Sequence, residues 1–266
     1  MTARNMITAT QWWQTALVRI QPGEIALRGY PIEQLIGEIS FPQAIWLLLR
    51  GELPTPAQAK LLEAALVAAV DHGPQAPSIA AARMAATCGV GLNNAVATGV
   101  NLLGDVHGGA GQQAMSMLRD LRDSDLPLPK AIEEYRRWHR FLPGFGHRFH
   151  PRDPRRDPLL RLVAEAVEEG VVSGEYLVIA LEVEHAIAPV PMNIDGATAV
   201  IYAELGFPPE LARGLFVLSR SVGILAHAWE EQQSGARIKG PIPRPLLADY
   251  TGPALRDLHD GRKPQP

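Results

Sequence analysis

The chain has 266 residues, of which 47% are apolar and 20% are charged, and its formal net charge is −3. This composition is ordinary for a folded globular protein, and the balanced charge excludes a global electrostatic footprint for nucleic acid. The single cysteine, Cys88, excludes an intrachain disulfide within these residues, which suits a reducing compartment, and we therefore expect a cytoplasmic protein.

The sequence shows neither the pattern of a secretory signal nor that of a membrane span. The first residues, Met1 to Asn5, lead into no long apolar stretch, so we expect no signal peptide. The longest uninterrupted apolar runs, such as Ala44 to Leu49, are too short to cross a bilayer. We therefore expect no membrane partner.

The first element in chain order is a predicted β-hairpin. Its strands are Val18–Ile20 and Glu24–Leu27, and they flank Pro22-Gly23, a pair typical of turns. Strand patterns are nearly absent after this point. We therefore predict an all-α fold with a short N-terminal hairpin.

Apolar residues at helical spacing fill the rest of the chain. Pro31 opens a predicted helix through Ile39, and Ser40 caps the next, which stops at Gly51. Thr55-Pro56 is an N-cap followed by a proline at the first helical position, and this helix is predicted to end near Gly73. Further helices are predicted at 78–88, 92–103, 109–122, 129–140, 158–169, 174–187, about 193–205 and about 208–232.

One segment, Arg136 to Arg156, departs from the balanced composition of the chain. It holds seven arginines and three histidines, and its middle, Leu142 to Gly146, has the composition of a loop. A solvated basic face is one interpretation. However, glycines allow a ligand to approach backbone N–H groups, and arginines bind carboxylates and phosphates through paired hydrogen bonds. A local anion-binding site is therefore favoured at least as strongly as a solvated basic face.

Two histidines lie in motifs that could carry chemistry, although each has a structural alternative. His72 follows Asp71 at the end of a predicted helix, where a histidine can simply favour the helix dipole. His107 lies in the glycine-rich segment Asp105–Gly111, which precedes a helix. A histidine and free backbone N–H groups can stabilise an oxyanion there, and a tight turn for helix packing is the alternative.

Three further motifs contain charged residues. Gly144-Phe145-Gly146-His147-Arg148, followed by Asp153-Pro154-Arg155, is the most specific, because all its residue types suit a small polyanion. Asp195 begins a predicted helix, where capping is its alternative role. Arg220 interrupts an apolar helical run, and a buried arginine needs a partner, which could be a ligand carboxylate or an internal Asp or Glu.

Together these motifs resemble the citrate synthase superfamily in order and spacing, from Leu27 to Arg244. Citrate synthases are longer, so the chain is most similar to the compact citryl-CoA lyase module of ATP-citrate lyase. The resemblance implies a large helical domain, residues 1–108 and 222–266, and a smaller inserted helical domain, residues 109–221. It also implies a homodimer or higher homo-oligomer with an active site completed in trans.

The resemblance implies a role for each matching residue. His107 would hold the thioester carbonyl oxygen, Asp195 would remove a proton from the acetyl methyl group, and His147 would contact the oxaloacetate carbonyl. The groups implied to bind the dicarboxylate are His72, Arg155 and Arg220. The residues implied to contact CoA are Leu142, Pro143, Gly144, Phe145, Gly146 and Arg148.

Two departures from the family pattern bear on the reaction. Typical synthases carry an Arg-Pro-Arg run near the C-terminus, and its first arginine reaches into the neighbouring subunit's site. Here that stretch reads Arg237 to Pro241 without this arginine, and Arg244 resembles the arginine that reaches across in the lyase module. This favours a lyase. The lyase module lacks the glycine-flanked histidine kept here as His107, which favours a synthase.

The expected reaction is citryl-CoA = acetyl-CoA + oxaloacetate, with citryl-CoA lyase favoured over citrate synthase. The alternatives are a 2-methylcitrate synthase, a non-catalytic CoA- or dicarboxylate-binding subunit, and a helical scaffold without a ligand. No cysteine or histidine cluster has zinc spacing, so we expect no metal and no permanently bound cofactor, with the CoA thioester as substrate. The chain lacks a Gly-x-x-x-x-Gly-Lys-Ser/Thr loop, so a partner enzyme would have to activate citrate.

Overall fold

The computed structural model describes residues 12–243 and 245–258, and these residues form eleven helices and one small sheet. The strands are β1 (Val18–Gln21), β2 (Glu24–Leu27) and β3 (Tyr30–Pro31). The helices are α1 (Ile32–Leu35), α2 (Phe41–Arg50), α3 (Pro56–Ala69), α4 (Pro77–Ala86), α5 (Leu92–Val100), α6 (Ala110–Arg122), α7 (Leu128–Trp138), α8 (Arg156–Glu168), α9 (Glu175–Ala186), α10 (Ile194–Glu204) and α11 (Pro209–Gln233). The predicted all-α class is confirmed.

The N-terminal hairpin is confirmed, but the sheet gains a third strand. β1 and β2 pair antiparallel, with Val18 opposite Leu27, and β3 then pairs with the end of β2. The reversal before β3 uses Gly29, whose φ is +92°. The helix predicted from Pro31 to Ile39 was wrong in extent, since only α1 forms, and its C-cap Ile36 is followed by Gly37 with a φ of +85°.

The predicted helix starts at Ser40 and Thr55 are both confirmed, and each forms a complete capping box. The Ser40 side chain accepts from the Gln43 amide and Thr55 from the Gln58 amide, while each glutamine side chain accepts from the capping residue's own amide. Helix α3 ends at Ala69, before the predicted end near Gly73. The residues between α3 and α4 therefore form a loop.

Two buried clusters form the core, and the longest helix contributes to both. The larger cluster contains residues of α2, of α3 and of every helix from α6 through α11. The smaller cluster contains residues of α4, α5 and the second half of α11. On α11, Leu215 belongs to the larger cluster and Ile224 to the smaller. The predicted division into an inserted domain, 109–221, stays a prediction.

Among the described residues, one helix, α11, is long enough and apolar enough to cross a membrane, judged by length and composition alone. The search for uninterrupted apolar runs in the sequence did not find α11, because charged residues interrupt its apolar stretches. Two of these, Arg220 and Glu231, are almost fully buried, and the helix packs against α3, α4, α5 and α6. The helix is therefore covered by other helices along part of its surface.

The larger cluster should be sensitive to loss of side-chain volume. Ile201 on α10 is 0% exposed, so Ile201→Ala removes buried methyl groups and leaves a cavity, and we expect the free energy of unfolding to fall by roughly 2–5 kcal/mol. Chemical denaturation measures this change. The control is Val178→Ala on α9, where the side chain is 57% exposed and the expected change is within about 0.5 kcal/mol. Equal effects would contradict the assignment of the core.

Candidate active site

The ends of several elements converge on one region that contains most of the predicted site residues. His72 lies in the loop between α3 and α4, and its ring centroid is 5.5 Å from that of His147. The charges of Arg155 and Arg220 act on both His72 and Asp195. A Cβ atom on Gly111, in the first turn of α6, would lie 3.9 Å from Asp195 Oδ1. The glycine-rich segment before α6 therefore borders the same region.

His107 is held in its neutral form by the start of α4. Its Nε2 accepts a hydrogen bond from the Ser78 amide at 3.2 Å and lies 2.9 Å from Ser78 Oγ. Since a backbone N–H can only donate, Nε2 carries no proton, and the proton of the neutral ring is on Nδ1. Burial, together with the charges of Arg220 and Arg148, lowers the pKa of His107. His107 therefore offers a neutral Nδ1–H donor.

His147 is fixed in the opposite tautomer. Its Nδ1 accepts hydrogen bonds from the amides of Phe149 and His150, each at 3.1 Å, so the ring proton is on Nε2. Burial lowers the pKa of His147, and Asp153 opposes this shift only in part. Burial and the charges of Arg155 and Arg220 also lower the pKa of the neighbouring His72. The region thus collects imidazoles that stay neutral near pH 7.

Asp195 does not cap α10, so the structural alternative for this residue is wrong. The side chain of Asn193 is the cap, because it accepts from the amides of Asp195 and Gly196. Among the described residues, none donates a hydrogen bond to the Asp195 carboxylate. Burial raises the pKa of this carboxyl, although Arg155 and Arg220 act in the opposite direction. A partly desolvated, unbonded carboxylate is a stronger base than an exposed one.

Arg220 is a buried cation without an internal carboxylate partner in the described part of the chain. Its side chain donates from Nε to the Ala69 carbonyl at 3.0 Å, and its guanidinium lies 4.8 Å from the centroid of the Phe216 ring. The residue is 6% exposed, and burial lowers its pKa. A bound anion would satisfy its free N–H groups, which leaves the ligand interpretation as the favoured one.

The loop from Leu142 to Gly146 is fastened to the residues before α10. The Asn193 amide donates to the Gly144 carbonyl at 2.9 Å, and the Gly146 amide donates to the Pro191 carbonyl at 2.8 Å. A Cβ atom on Gly144 would lie 2.7 Å from Gly196 Cα, so only glycine permits this approach. The predicted CoA loop, which comprises Leu142, Pro143, Gly144, Phe145 and Gly146, is therefore beside the start of α10.

Two predicted residues are placed less closely. Arg148 is exposed, although its charge acts on His107. Arg244 lies outside the described residues, and its predicted role stays a prediction. Within 12–243 and 245–258, no group of three or more His, Cys, Asp or Glu residues could hold a metal ion.

Comparison with known proteins agrees with this arrangement. The family model described as "Citrate synthase, C-terminal domain" matches residues 6–60 and 54–246. The chain belongs to the citrate synthase family. The glyoxysomal citrate synthase of Cucurbita maxima is 33% identical over 225 residues, which cover 78% of this chain and 41% of that protein. The citrate synthase of Haloferax volcanii is 31% identical over 210 residues, which cover 77% and 53%.

A solved member of the same family is similar over its whole length. The structure of citryl-CoA lyase from Hydrogenobacter thermophilus is 35% identical with a TM-score of 0.84, and the match covers 94% of this chain and 98% of that chain. In contrast, the chain spans about half the length of the two citrate synthases. The resemblance to the citrate synthase superfamily and its fold is confirmed, and the roles of individual residues stay predictions.

Sequence reasoning missed several residues that organise this citrate-synthase-like site. Ser78 orients His107 although the two residues are 29 positions apart in sequence. Asn193, and not Asp195, caps the start of α10. Arg213 on α11 holds Asp105, in the segment of His107, through an ion pair of 2.5 Å. The helix start at 78 was visible in the sequence, but its pairing with His107 was not.

The three imidazoles should titrate below the ordinary histidine pKa of about 6.5. We expect the NMR resonances of the ring C–H groups of His72, His107 and His147 to show midpoints under this value, because burial and the nearby arginines disfavour the charged ring. Single His→Gln variants assign the resonances. A midpoint at or above 6.5 for His107 would show that the α4 amide does not hold it neutral.

Proposed function

We propose that the chain is an enzyme that cleaves and forms the carbon–carbon bond of citryl-CoA, with acetyl-CoA and oxaloacetate as the other reactants and cleavage as the net reaction. One observation carries this proposal: the Asp195 carboxylate has a raised pKa and lacks a donor among the described residues, while the imidazoles beside it are held neutral. This combination suits proton transfer to and from carbon.

The first step of condensation would form an enolate. The Asp195 carboxylate takes a proton from the acetyl methyl group, and the electron pair of that C–H bond moves into the enolate. The Nδ1–H group of His107 donates to the enolate oxygen as its charge develops. A neutral donor suits this task, because a charged imidazolium would lower the pKa of the nearby base.

The second step would join the two carbon atoms. His147 donates from Nε2–H to the ketone oxygen of oxaloacetate, and the enolate carbon attacks the polarised carbonyl carbon. The ketone oxygen becomes the citryl hydroxyl by taking up one proton from solvent, while Asp195 releases the methyl proton to solvent, so the net number of protons is unchanged. Cleavage runs through the same groups in reverse, so the hydroxyl loses its proton, the carbon–carbon bond breaks, and protonated Asp195 returns a proton to the enolate carbon.

Charge pairing explains why a dicarboxylate suits the site. Among the described residues, the buried guanidinium of Arg220 has only a backbone carbonyl as an acceptor, and a ligand carboxylate would supply the missing negative charge. The charge of Arg155 acts on His72, and these two groups would orient the second carboxylate. These steps involve proton transfers and one carbon–carbon bond, so we propose that CoA enters as part of the substrate and that no resident cofactor is required.

Similarity to a solved lyase favours the lyase over the synthase. The match to that citryl-CoA lyase has 35% identity and a TM-score of 0.84 over 98% of its chain. The two citrate synthases are 33% and 31% identical over 41% and 53% of their lengths. A synthase must also hydrolyse the thioester of citryl-CoA, which is an additional step with an additional reactant. Citrate synthase is the second candidate, supported by the names of those two sequence relatives and by the retained His107.

We also propose that the active site is completed in a homodimer. One face of α11 exposes an apolar stripe at helical spacing, formed by Leu218, Val222, Leu225 and Trp229. After the Lys239 amide bonds to Thr87 Oγ1, the chain continues as an irregular segment with exposed leucines. A second copy would cover these apolar groups, and Arg244 would then reach the partner's site.

Measuring both directions tests the reaction. We expect rapid release of oxaloacetate from citryl-CoA and negligible release of free CoA from acetyl-CoA plus oxaloacetate. Oxaloacetate is followed by a coupled dehydrogenase and CoA by a thiol reagent. Efficient CoA release would make the protein a synthase, propionyl-CoA in place of acetyl-CoA would reveal a methylcitrate synthase, and ligand binding without turnover would leave only a binding subunit.

The Asp195→Asn variant isolates proton transfer from binding. An amide cannot accept the methyl proton, so we expect citryl-CoA cleavage to slow by roughly 10²–10⁴-fold while oxaloacetate still binds, as measured by calorimetry. The control, Asp125→Asn, removes an exposed carboxylate on another surface and should leave the rate unchanged. Full activity of the Asp195→Asn variant would end its assignment as the base.

A further inference from the structure

The most completely buried carboxylate near the site is Asp153, to which the mechanism above gives no role. The residue is 1% exposed, and its side chain is 0% exposed. An ionised carboxylate removed from water is costly unless hydrogen bonds and an opposite charge compensate it. Its partners therefore show what this residue does.

Both oxygens of Asp153 are used, and they link two separate parts of the site. Oδ1 accepts from the Arg155 amide at 3.0 Å and from Arg155 Nε at 2.9 Å. Oδ2 accepts from a terminal nitrogen of the same guanidinium at 2.9 Å and from the Ile194 amide at 3.0 Å. Ile194 is the first residue of α10, and Asp195 is the next. One carboxylate thus holds both a predicted dicarboxylate ligand and the helix that carries the base.

The charge of Asp153 is permanent under working conditions. Burial alone would raise its pKa, but the hydrogen bonds from Arg155 and Ile194 outweigh burial and lower the pKa to about 2. The start of α10 also favours a negative charge, because the helix dipole is positive there. Asp153 therefore presents a fixed negative charge to its neighbours.

That charge also acts on the base. Burial raises the pKa of Asp195, and Asp153 adds to this shift, whereas Arg155 and Arg220 lower the pKa. Among the described residues, Arg155, Arg220 and Asp153 are the charged groups that act on Asp195, while Gly111 lies against it from the first turn of α6 and His107 and His147 are neutral. Asp153 thus offsets part of the effect that Arg155 has on the base.

We propose that Asp153 is a positioning residue for the carbon–carbon step, because its carboxylate fixes Arg155 and the first turn of α10 relative to each other. The inference rests on the proposed function, because it assigns Asp195 as the base. The alternative is a purely structural cap for α10, and the two differ in what happens to the pH dependence of turnover.

The test is D153N, assayed as the pH dependence of citryl-CoA formation from acetyl-CoA and oxaloacetate. The amide keeps an oxygen for the Ile194 N–H, but it loses the charge and turns N–H groups toward Arg155. We expect kcat to fall by roughly tenfold or more, and the acidic limb of the profile to move to lower pH, because Asp195 loses a nearby negative charge. The KM for oxaloacetate should change less than kcat.

The matched control is D157N. Asp157 belongs to the same segment and is ion-paired with Arg152 and Arg156, but its side chain is 55% exposed. The D157N substitution removes one negative charge, as D153N does, but leaves the contacts of Arg155 and α10 intact. We therefore expect kcat and the position of the acidic limb to be unchanged. If D157N moved the limb as far as D153N does, general charge loss would explain the result and the inference would fall.

A second variant separates position from charge and serves if D153N does not fold, which circular dichroism would show. D153E keeps the charge and shifts the carboxylate by one methylene, so kcat should fall while the acidic limb stays where the unaltered protein has it. Unchanged kcat in D153E, or an unmoved acidic limb in folded D153N, would overturn the inference. Absence of turnover in the unaltered protein would instead refute the proposed function.

Discussion

The close contact between Gly144 and Gly196 is the constraint on which the site depends. A Cβ atom on Gly196 would lie 2.4 Å from the Gly144 carbonyl oxygen, so the two backbones touch without side chains between them. The contact joins the loop from Leu142 to Gly146 to the first turn of α10. Hydrogen bonds from Asn193 to that loop and from the start of α10 to Asp153 hold the same junction from two further sides. The predicted CoA loop and the predicted base are thereby held together by direct backbone contact and hydrogen bonds.

The protonation states of the site residues follow from the burial of histidine and aspartate side chains near two arginines. Arginine cannot lose its charge in a protein, whereas histidine and aspartate can, so burial near Arg155 and Arg220 has a different result for each type. Burial and both cations lower the pKa of His72, while burial together with Arg220 lowers that of His107, and burial together with Arg155 lowers that of His147. Two effects act on the pKa of Asp195 in opposite directions, since burial favours the neutral carboxyl and the cations favour the carboxylate. The site therefore combines fixed positive charge with groups that can exchange protons.

The sequence predicted the fold and the site unequally, and the reason is physical. Capping residues such as Ser40 and Thr55 act within four positions, so local patterns located those helix starts correctly. Family spacing brought out His107 and Asp195, whose neighbours in sequence are distinctive. Ser78 could not be found in this way, because it acts across 29 positions and serine is common at helix starts. Strand β3 was missed because two residues are too few to show a pattern.

The balance at Asp195 bears on the direction of the proposed reaction. Cleavage must begin with Asp195 protonated, since this residue returns the proton to carbon, and burial favours that form. In the free protein, Arg155 and Arg220 oppose protonation. Carboxylates of bound citryl-CoA would neutralise those cations, and the pKa of Asp195 would then rise further. Substrate binding itself would prepare the acid that cleavage needs, so the charge of Arg220, which has no carboxylate partner among the described residues, would serve both to recognise the ligand and to favour protonation of Asp195.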